Sequence, residues 1–218
     1  MSKKPKTSVL RYSLLSSTSA FIYNTFISFT QFFYTDYLRL SASLIGRGWF
    51  LFGIWNTVND PVSGIVSDKF KEKYKERKKL MTVLILPMTV AYVLIWLPQP
   101  GVNETLLFVY FLVAISVFDL LYTLFSVNVI ALVPELFVSL ASRTDLTVKS
   151  NALNLAMTGA GLILAPLVYT QFGWRIFGLL YAVIALLVYK YAVGAIKEKK
   201  KSSQREKRKG REKPKDDI

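Results

Sequence analysis

Long apolar runs constrain this chain more than any other feature. Six stretches, residues 9–38, 44–67, 80–97, 105–134, 150–172 and 175–196, are long enough to cross a bilayer as helices, for which roughly 20 apolar residues suffice. The first and fourth exceed that need, which predicts tilt or kinks. Transmembrane barrel strands would alternate over only about 10 residues, so these uninterrupted runs predict helices. The chain is 52% hydrophobic yet carries a net charge of +14. Both hold only because the charge is segregated into short clusters between the runs.

Those clusters predict an orientation. The segments on one side hold 24 Lys and Arg: Lys3, Lys4, Lys6 and Arg11, seven between Lys69 and Lys79, then Arg143 and Lys149, and eleven after Ile196. The opposite side holds Arg39, Arg47 and Arg175, and Lys190 snorkels from the end of the sixth run. Positive charge favours the cytoplasmic face, so both termini are expected there, in a multi-pass protein of the cell membrane. Residues 1–196 read as one membrane domain. Residues 197–218, with eleven basic and five acidic residues and no apolar period, read as a disordered tail resting in solvent or on anionic lipid rather than on nucleic acid. The chain has no Cys and no His, which removes disulfides, thiolate and imidazole chemistry and most transition-metal sites. No nucleophile–base pair, metal site or phosphate loop offers itself, so an enzyme is not expected. The first run is too long for a cleavable signal peptide.

The polar residues inside the runs are patterned. In the first, Asn24, Ser28 and Gln31 recur at i, i+4, i+7; in the fourth, Asp119, Thr123 and Ser126 do the same. Such stripes line a cavity or hydrogen-bond neighbouring helices. Asn151, Asn154 and Thr158 give the fifth a polar face, while the third and sixth are nearly all apolar and are expected to face lipid. Gly46, Gly48 and Gly53 suit close packing. The pattern predicts an all-α fold of two three-helix units, an arrangement met as inverted repeats in transporters.

The most informative stretch is Trp55-Asn-Thr-Val-Asn-Asp60-Pro61-Val-Ser-Gly64-Ile-Val-Ser-Asp68-Lys69. Asn56, Asn59, Asp60 and Ser63 sit at helical spacing and are expected to share a face. A carboxylate inside a membrane helix costs roughly 2.5–3.5 kcal/mol on insertion scales and usually marks an ion or substrate path. Pro61 frees the carbonyl of Thr57, and an oxygen-rich spot beside Asp60 suits a small cation or a proton relay. Asp119 is a second intramembrane carboxylate, which is either functional or wet near an interface.

Phe33-Tyr-Thr-Asp36, the segment from Ile54 to Pro61, Gly64-x-x-x-Asp68-Lys69 and Ala131-Leu-Val-Pro-Glu135 with Arg143 together resemble the glycoside–pentoside–hexuronide:cation symporters, the melibiose-permease-like branch of the major facilitator superfamily. The resemblance covers roughly residues 10–195 and implies the fold of one six-helix half of such a carrier. It implies a cytoplasmic gate in which Asp68, at a helix end after Gly64, pairs with the basic loop (Lys69, Arg77). The residues themselves also suggest a Glu135–Arg143 pair on that side, as a gate or a plain surface bridge. Asp60, Asn59 and Thr123 match the family's coupling positions. The departures are chemical: acids of the family stand where this chain has Asn56 and Ser126 and near Ala20, and its Arg falls near Asn151. That argues against a galactoside-type sugar site.

Carriers of this family have about twelve spans, and polar stripes facing lipid are costly. A second half is therefore expected, from another copy or a different chain. The expected function is a half-size, cation-coupled transporter working as a dimer. Asp60, Asn56, Asn59, Thr123 and Asp119 would handle the coupling ion, H+ or Na+. A small solute would be lined by Asn24, Trp55, Tyr122, Ser126 and Asn151. The rival reading is a non-transporting scaffold or accessory subunit. No cofactor is expected.

Overall fold

A computed structural model describes residues 7–74 and 76–196; the expected basic tail lies outside the described residues. Six α-helices follow one another: α1 (Val9–Phe32), α2 (Ala42–Tyr74), α3 (Arg77–Ile95), α4 (Glu104–Leu136), α5 (Leu140–Phe172) and α6 (Trp174–Gly194). A π-helical turn, Phe33–Tyr37, ends α1. Among the described residues there is no strand.

The connections are short because the chain supplies stops at each end. Arg39 takes a left-handed φ of 63° between α1 and α2, a strained conformation for a residue with a side chain. Asn103 caps α4, its Oδ1 accepting from the backbone N–H of Thr105 at 3.0 Å and Leu106 at 3.2 Å, as N-cap residues do. Ser139 caps α5 through the N–H of Ser142. Gly173, at φ 85°, turns α5 directly into α6.

Two helices outrun their apolar stretches. α5 begins at Leu140, not at residue 150, and α2 runs on to Tyr74 past residue 67. The expected loop before α5 is helical because it holds no Gly or Pro, starts at a Ser cap and carries an Asp145–Lys149 pair at i, i+4, 2.8 Å apart.

Four helices, α3 to α6, are long and apolar enough to cross a membrane by composition. α1 and α2 are long enough but more polar. In α1 the polarity is largely answered within the helix: the hydroxyls of Ser13, Ser17, Thr18, Thr25 and Thr30 donate to carbonyls one turn earlier.

α1 packs against α5 and α6, α4 packs against α2 and α3, and α3 meets α6. The third and sixth runs keep an apolar outer side, with Val83, Leu86, Leu179 and Leu187 exposed, but their other side is core. About half of the apolar window of α3 and 44% of that of α6 is buried, against 11% for α5. The large apolar α3 and α6 side chains interlock, while α5 and much of α2 touch neighbours along one side only. At the end of the bundle holding the α3–α4 and α5–α6 connections, Trp174 stacks on Tyr169 (4.1 Å) and on Trp96 (5.6 Å). Gly178 seats Trp96: a Cβ there would lie 2.5 Å from the indole. Gly48 likewise admits Phe111, whereas Gly46 and Gly53 have nothing within 4 Å of a Cβ, so close packing does not explain them.

Candidate functional site

α2 divides its polar residues between two faces. Asn56, Asn59, Ser63 and Ser67 recur every three or four residues and turn toward α4; Asn59, Ser63 and Ser67 are fully buried. Asp60 follows Asn59 directly, and one residue turns a helix by about 100°, so Asp60 points away and is exposed. The expectation that Asn56, Asn59, Asp60 and Ser63 share one face is thus corrected. The buried carboxylate is Asp119 of α4, 2% exposed.

Asp119 is held by neutral donors from α2. Its Oδ2 accepts from Asn59 Nδ2 at 2.8 Å and from Trp55 Nε1 at 3.2 Å. Asn56, with its amide nitrogen turned to the carboxylate, donates to Oδ2 at 2.7 Å. Asn59 is fixed in turn by Ser63, whose hydroxyl donates to Asn59 Oδ1 at 3.0 Å. A buried carboxylate is tolerable only when hydrogen-bonded, and this one draws its donors from a single facing helix. Asp60 stands on α2 next to Asn59, one of the Asp119 donors, and faces outward.

Around this carboxylate, Tyr122 of α4 stacks on Tyr23 of α1 with ring centres 4.7 Å apart. Thr123 and Ser126 are half-buried on α4. Asn24 is exposed on α1 and donates to the carbonyl of Ala20 at 2.8 Å. Asn151 is exposed on α5. The structure therefore brings Trp55, Asn56, Asn59 and Asp119 together and sets Tyr122 beside them, while Asn24 and Asn151 stand on other helices. A small apolar cleft of about 100 Å³ between α3 and α4, lined by Leu94, Tyr110 and Val113 among others, includes none of these residues.

A second polar cluster sits where α2, α3 and α4 converge. Arg77, the first residue of α3, is 7% exposed. It donates to Asp68 at 2.5 Å, to Asn128 Oδ1 at 3.3 Å and to the Ser67 hydroxyl. Ser67 itself donates to Asn128 at 2.8 Å. Asp68, Lys69 and Glu135 are exposed, and Gly64 is half-buried with nothing within 4 Å of a Cβ. The suggested Glu135–Arg143 pair is not formed. Glu135 instead pairs with Lys71 and lies 4.0 Å from Arg77, because α2 and not the start of α5 passes beside it. Arg143 turns back, its Nε donating to the carbonyl of Phe137 at 2.8 Å. The neighbouring Lys78 donates to the carbonyls of Gly194 and Ile196 at 3.3 and 2.9 Å, at the end of α6.

Ser63, Ser67, Lys71, Asn128 and Tyr23 were not among the expected site residues. The signal for two of them was present: Ser63 and Ser67 continue the spacing of Asn56 and Asn59.

A family model described as MFS/sugar transport protein matches residues 12–215. An uncharacterized symporter of Synechocystis sp. is 28% identical over 168 residues, which is 75% of this chain and 30% of the relative. An isoprimeverose transporter of Lactiplantibacillus pentosus is 23% identical over 205 residues, 90% of this chain and 43% of the relative. The chain thus spans less than half the length of these relatives. No solved structure matches.

Proposed function

This chain belongs to the MFS/sugar transport family, a family of multi-pass membrane transporters and not of enzymes, and from that premise we propose that it is one six-helix half of an ion-coupled carrier working by alternating access. All six helices span the membrane in this reading, with both termini in the cytoplasm. The carboxylate buried at the α2–α4 contact carries the reading. A charge in that place is costly and serves no packing need, so it is best understood as the coupling group, with Asp60 as the nearest acid on the open face. Thr123 lies one turn beyond Asp119. Asn24, Trp55, Tyr122, Ser126 and Asn151 line the path of a small polar or amphipathic solute, and the name of the pentosus relative favours a sugar.

The helix contacts support two inverted three-helix repeats. Exchanging α1 with α4, α2 with α5 and α3 with α6 turns the α1–α5 contact into α4–α2 and the α3–α4 contact into α6–α1, as a pseudo-two-fold axis requires. α2 and α5, the helices left open, expose Ile54, Val58, Ile163 and Leu167. We assign that open side to a second six-helix half, which a second copy of this chain would match. Arg77, Asp68, Lys69, Gly64 and Glu135 form the cytoplasmic gate, with Arg143 at its edge.

The test is a mass measurement of the purified chain in lipid nanodiscs, followed by uptake in vesicles. Two chains per particle and solute uptake that follows an imposed ion gradient are expected, with Asp119→Asn folding normally and losing the gradient dependence. Full gradient dependence in that variant would remove Asp119 from the mechanism. The apolar face left open on α2 and α5 also fits a second reading, an accessory subunit. It predicts a different membrane protein co-purifying and no stabilisation by any solute.

A further inference from the structure

Building on that transporter reading, we infer that Asp119 is a proton site and not an alkali-cation site, and that the Asn56 amide is the partner that reverses when the proton arrives. Oδ2 of Asp119 faces two donors from α2. The indole nitrogen of Trp55 only donates. The Asn59 amide is engaged at both ends, its Oδ1 accepting from the Ser63 hydroxyl while its Nδ2 reaches Asp119. Two N–H hydrogens therefore point at Oδ2 whatever its charge. A hard cation requires the opposite, a shell of oxygens closing around it.

Asn56 has no such constraint. One terminal atom of its amide lies 2.7 Å from Oδ2 and 3.2 Å from Oδ1 of Asp119. With nitrogen in that place, the amide donates to the ionised carboxylate. When a proton from water bonds to Oδ1, the new O–H needs an acceptor. A half-turn of the amide brings the Asn56 carbonyl oxygen there, since both ends of an amide have nearly the same shape. The proton is delivered by hydronium, which leaves as water, and the Asn56 N–H bond to the carboxylate gives way to the new O–H···O bond; no other bond forms or breaks, and the site loses its charge. The three groups on the carboxylate are neutral in both states. The titratable groups packed around it are Tyr23 from α1, Tyr122 from its own helix and Tyr92 from α3, packed on Phe118 with its hydroxyl on Thr25, while Asp60 of α2 is turned to the open face. Asp60 is exposed and is the nearest acid from which a proton can be relayed.

The experiment is difference infrared spectroscopy of the full chain in lipid nanodiscs, titrated from alkaline to acid pH in choline chloride and again in sodium chloride. A carboxylic-acid C=O band is expected to grow as pH falls, to be identical in the two salts and to be missing in Asp119→Asn. In Asn56→Leu the band is expected at higher wavenumber, because the acid has lost its acceptor. A band in the unmutated chain that sodium suppresses at fixed pH would overturn the proton assignment, with no variant needed. So would the lack of any band that depends on Asp119. An unmoved band in Asn56→Leu would overturn the role of the amide. Sodium-driven uptake with a silent Asp119 would sink this inference and leave the carrier reading standing. A titrating, sodium-insensitive Asp119 in a chain that moves no solute would do the reverse.

Discussion

Arg77→Leu separates two explanations of how the α2–α3 junction is held. If the ion pair with Asp68 dominates, either partner can be removed at similar cost. The geometry says otherwise. The Arg77 side chain is 8% exposed, but that of Asp68 is 74% exposed, so water replaces the arginine at Asp68 almost fully. Exposed pairs of that kind contribute about 0–1 kcal/mol, which sets the expected cost of Asp68→Asn. The buried end of Arg77 instead donates to Ser67 and Asn128, and hydrogen bonds from a charged donor contribute about 1.5–3 kcal/mol each. Ser67 and Asn128 remain bonded to each other in the variant, and Leu keeps part of the apolar stem. The sum is therefore trimmed to roughly 2–4 kcal/mol for Arg77→Leu. Equilibrium unfolding of the purified chain in lipid–detergent micelles measures both variants. Equal destabilisation by Asp68→Asn and Arg77→Leu would refute this account and return the ion pair to first place.

Two further outcomes follow from packing and from the end of α6. Gly178→Ala drives a methyl group to within 2.9 Å of three atoms of the fully buried Trp96, itself stacked on Trp174, so overpacking is expected to cost about 1–3 kcal/mol. Gly53→Ala meets nothing and is expected to stabilise α2 by about 0.5–1 kcal/mol; thermal unfolding of the pair checks the opposite signs. Lys78→Gln removes a cation from the carbonyls of Gly194 and Ile196, a helix-end interaction of about 0.3–1 kcal/mol, and hydrogen exchange at residues 193–196 should quicken while α3 is unchanged.

The helices were legible in the sequence, but their ends were not. Apolar runs mark where lipid or core covers a helix. Capping and chain stiffness decide where it stops, so Ser139 starts α5 ten residues before the apolar run begins. The two intramembrane acids were also legible, but their surroundings were not. Spacing fixes the angle between Asn59 and Asp60 and leaves open which of them points at a neighbour. That choice was made by α4, whose Asp119 meets Trp55, Asn56 and Asn59 and leaves Asp60 outside. Glu135 is a similar case. Arg143 is near in sequence, whereas Lys71 is near in space, because α2 and α4 run side by side for most of their length.

That side-by-side course limits how these helices can move. Asn59 binds Asp119, Ser67 binds Asn128 two helical turns further along, and Lys71 binds Glu135 near the end. All three bonds join α2 to α4. A slide of one helix past the other, about 5.4 Å for one turn, would break all three at once, and only the last could be repaired by water at an exposed position. The Asp119 site and the Arg77 cluster are consequently fixed to one another along a single polar seam. A change of charge at Asp119 cannot be relieved by slippage between α2 and α4. It must be taken up by rotation of the Asn56 amide, or by movement of the α2–α4 pair as one body against α1 and α5. In a carrier that opens by rocking one half against the other, a seam of this kind makes the half rigid where α2 and α4 meet. The open faces of α2 and α5 then become the surface on which the motion takes place.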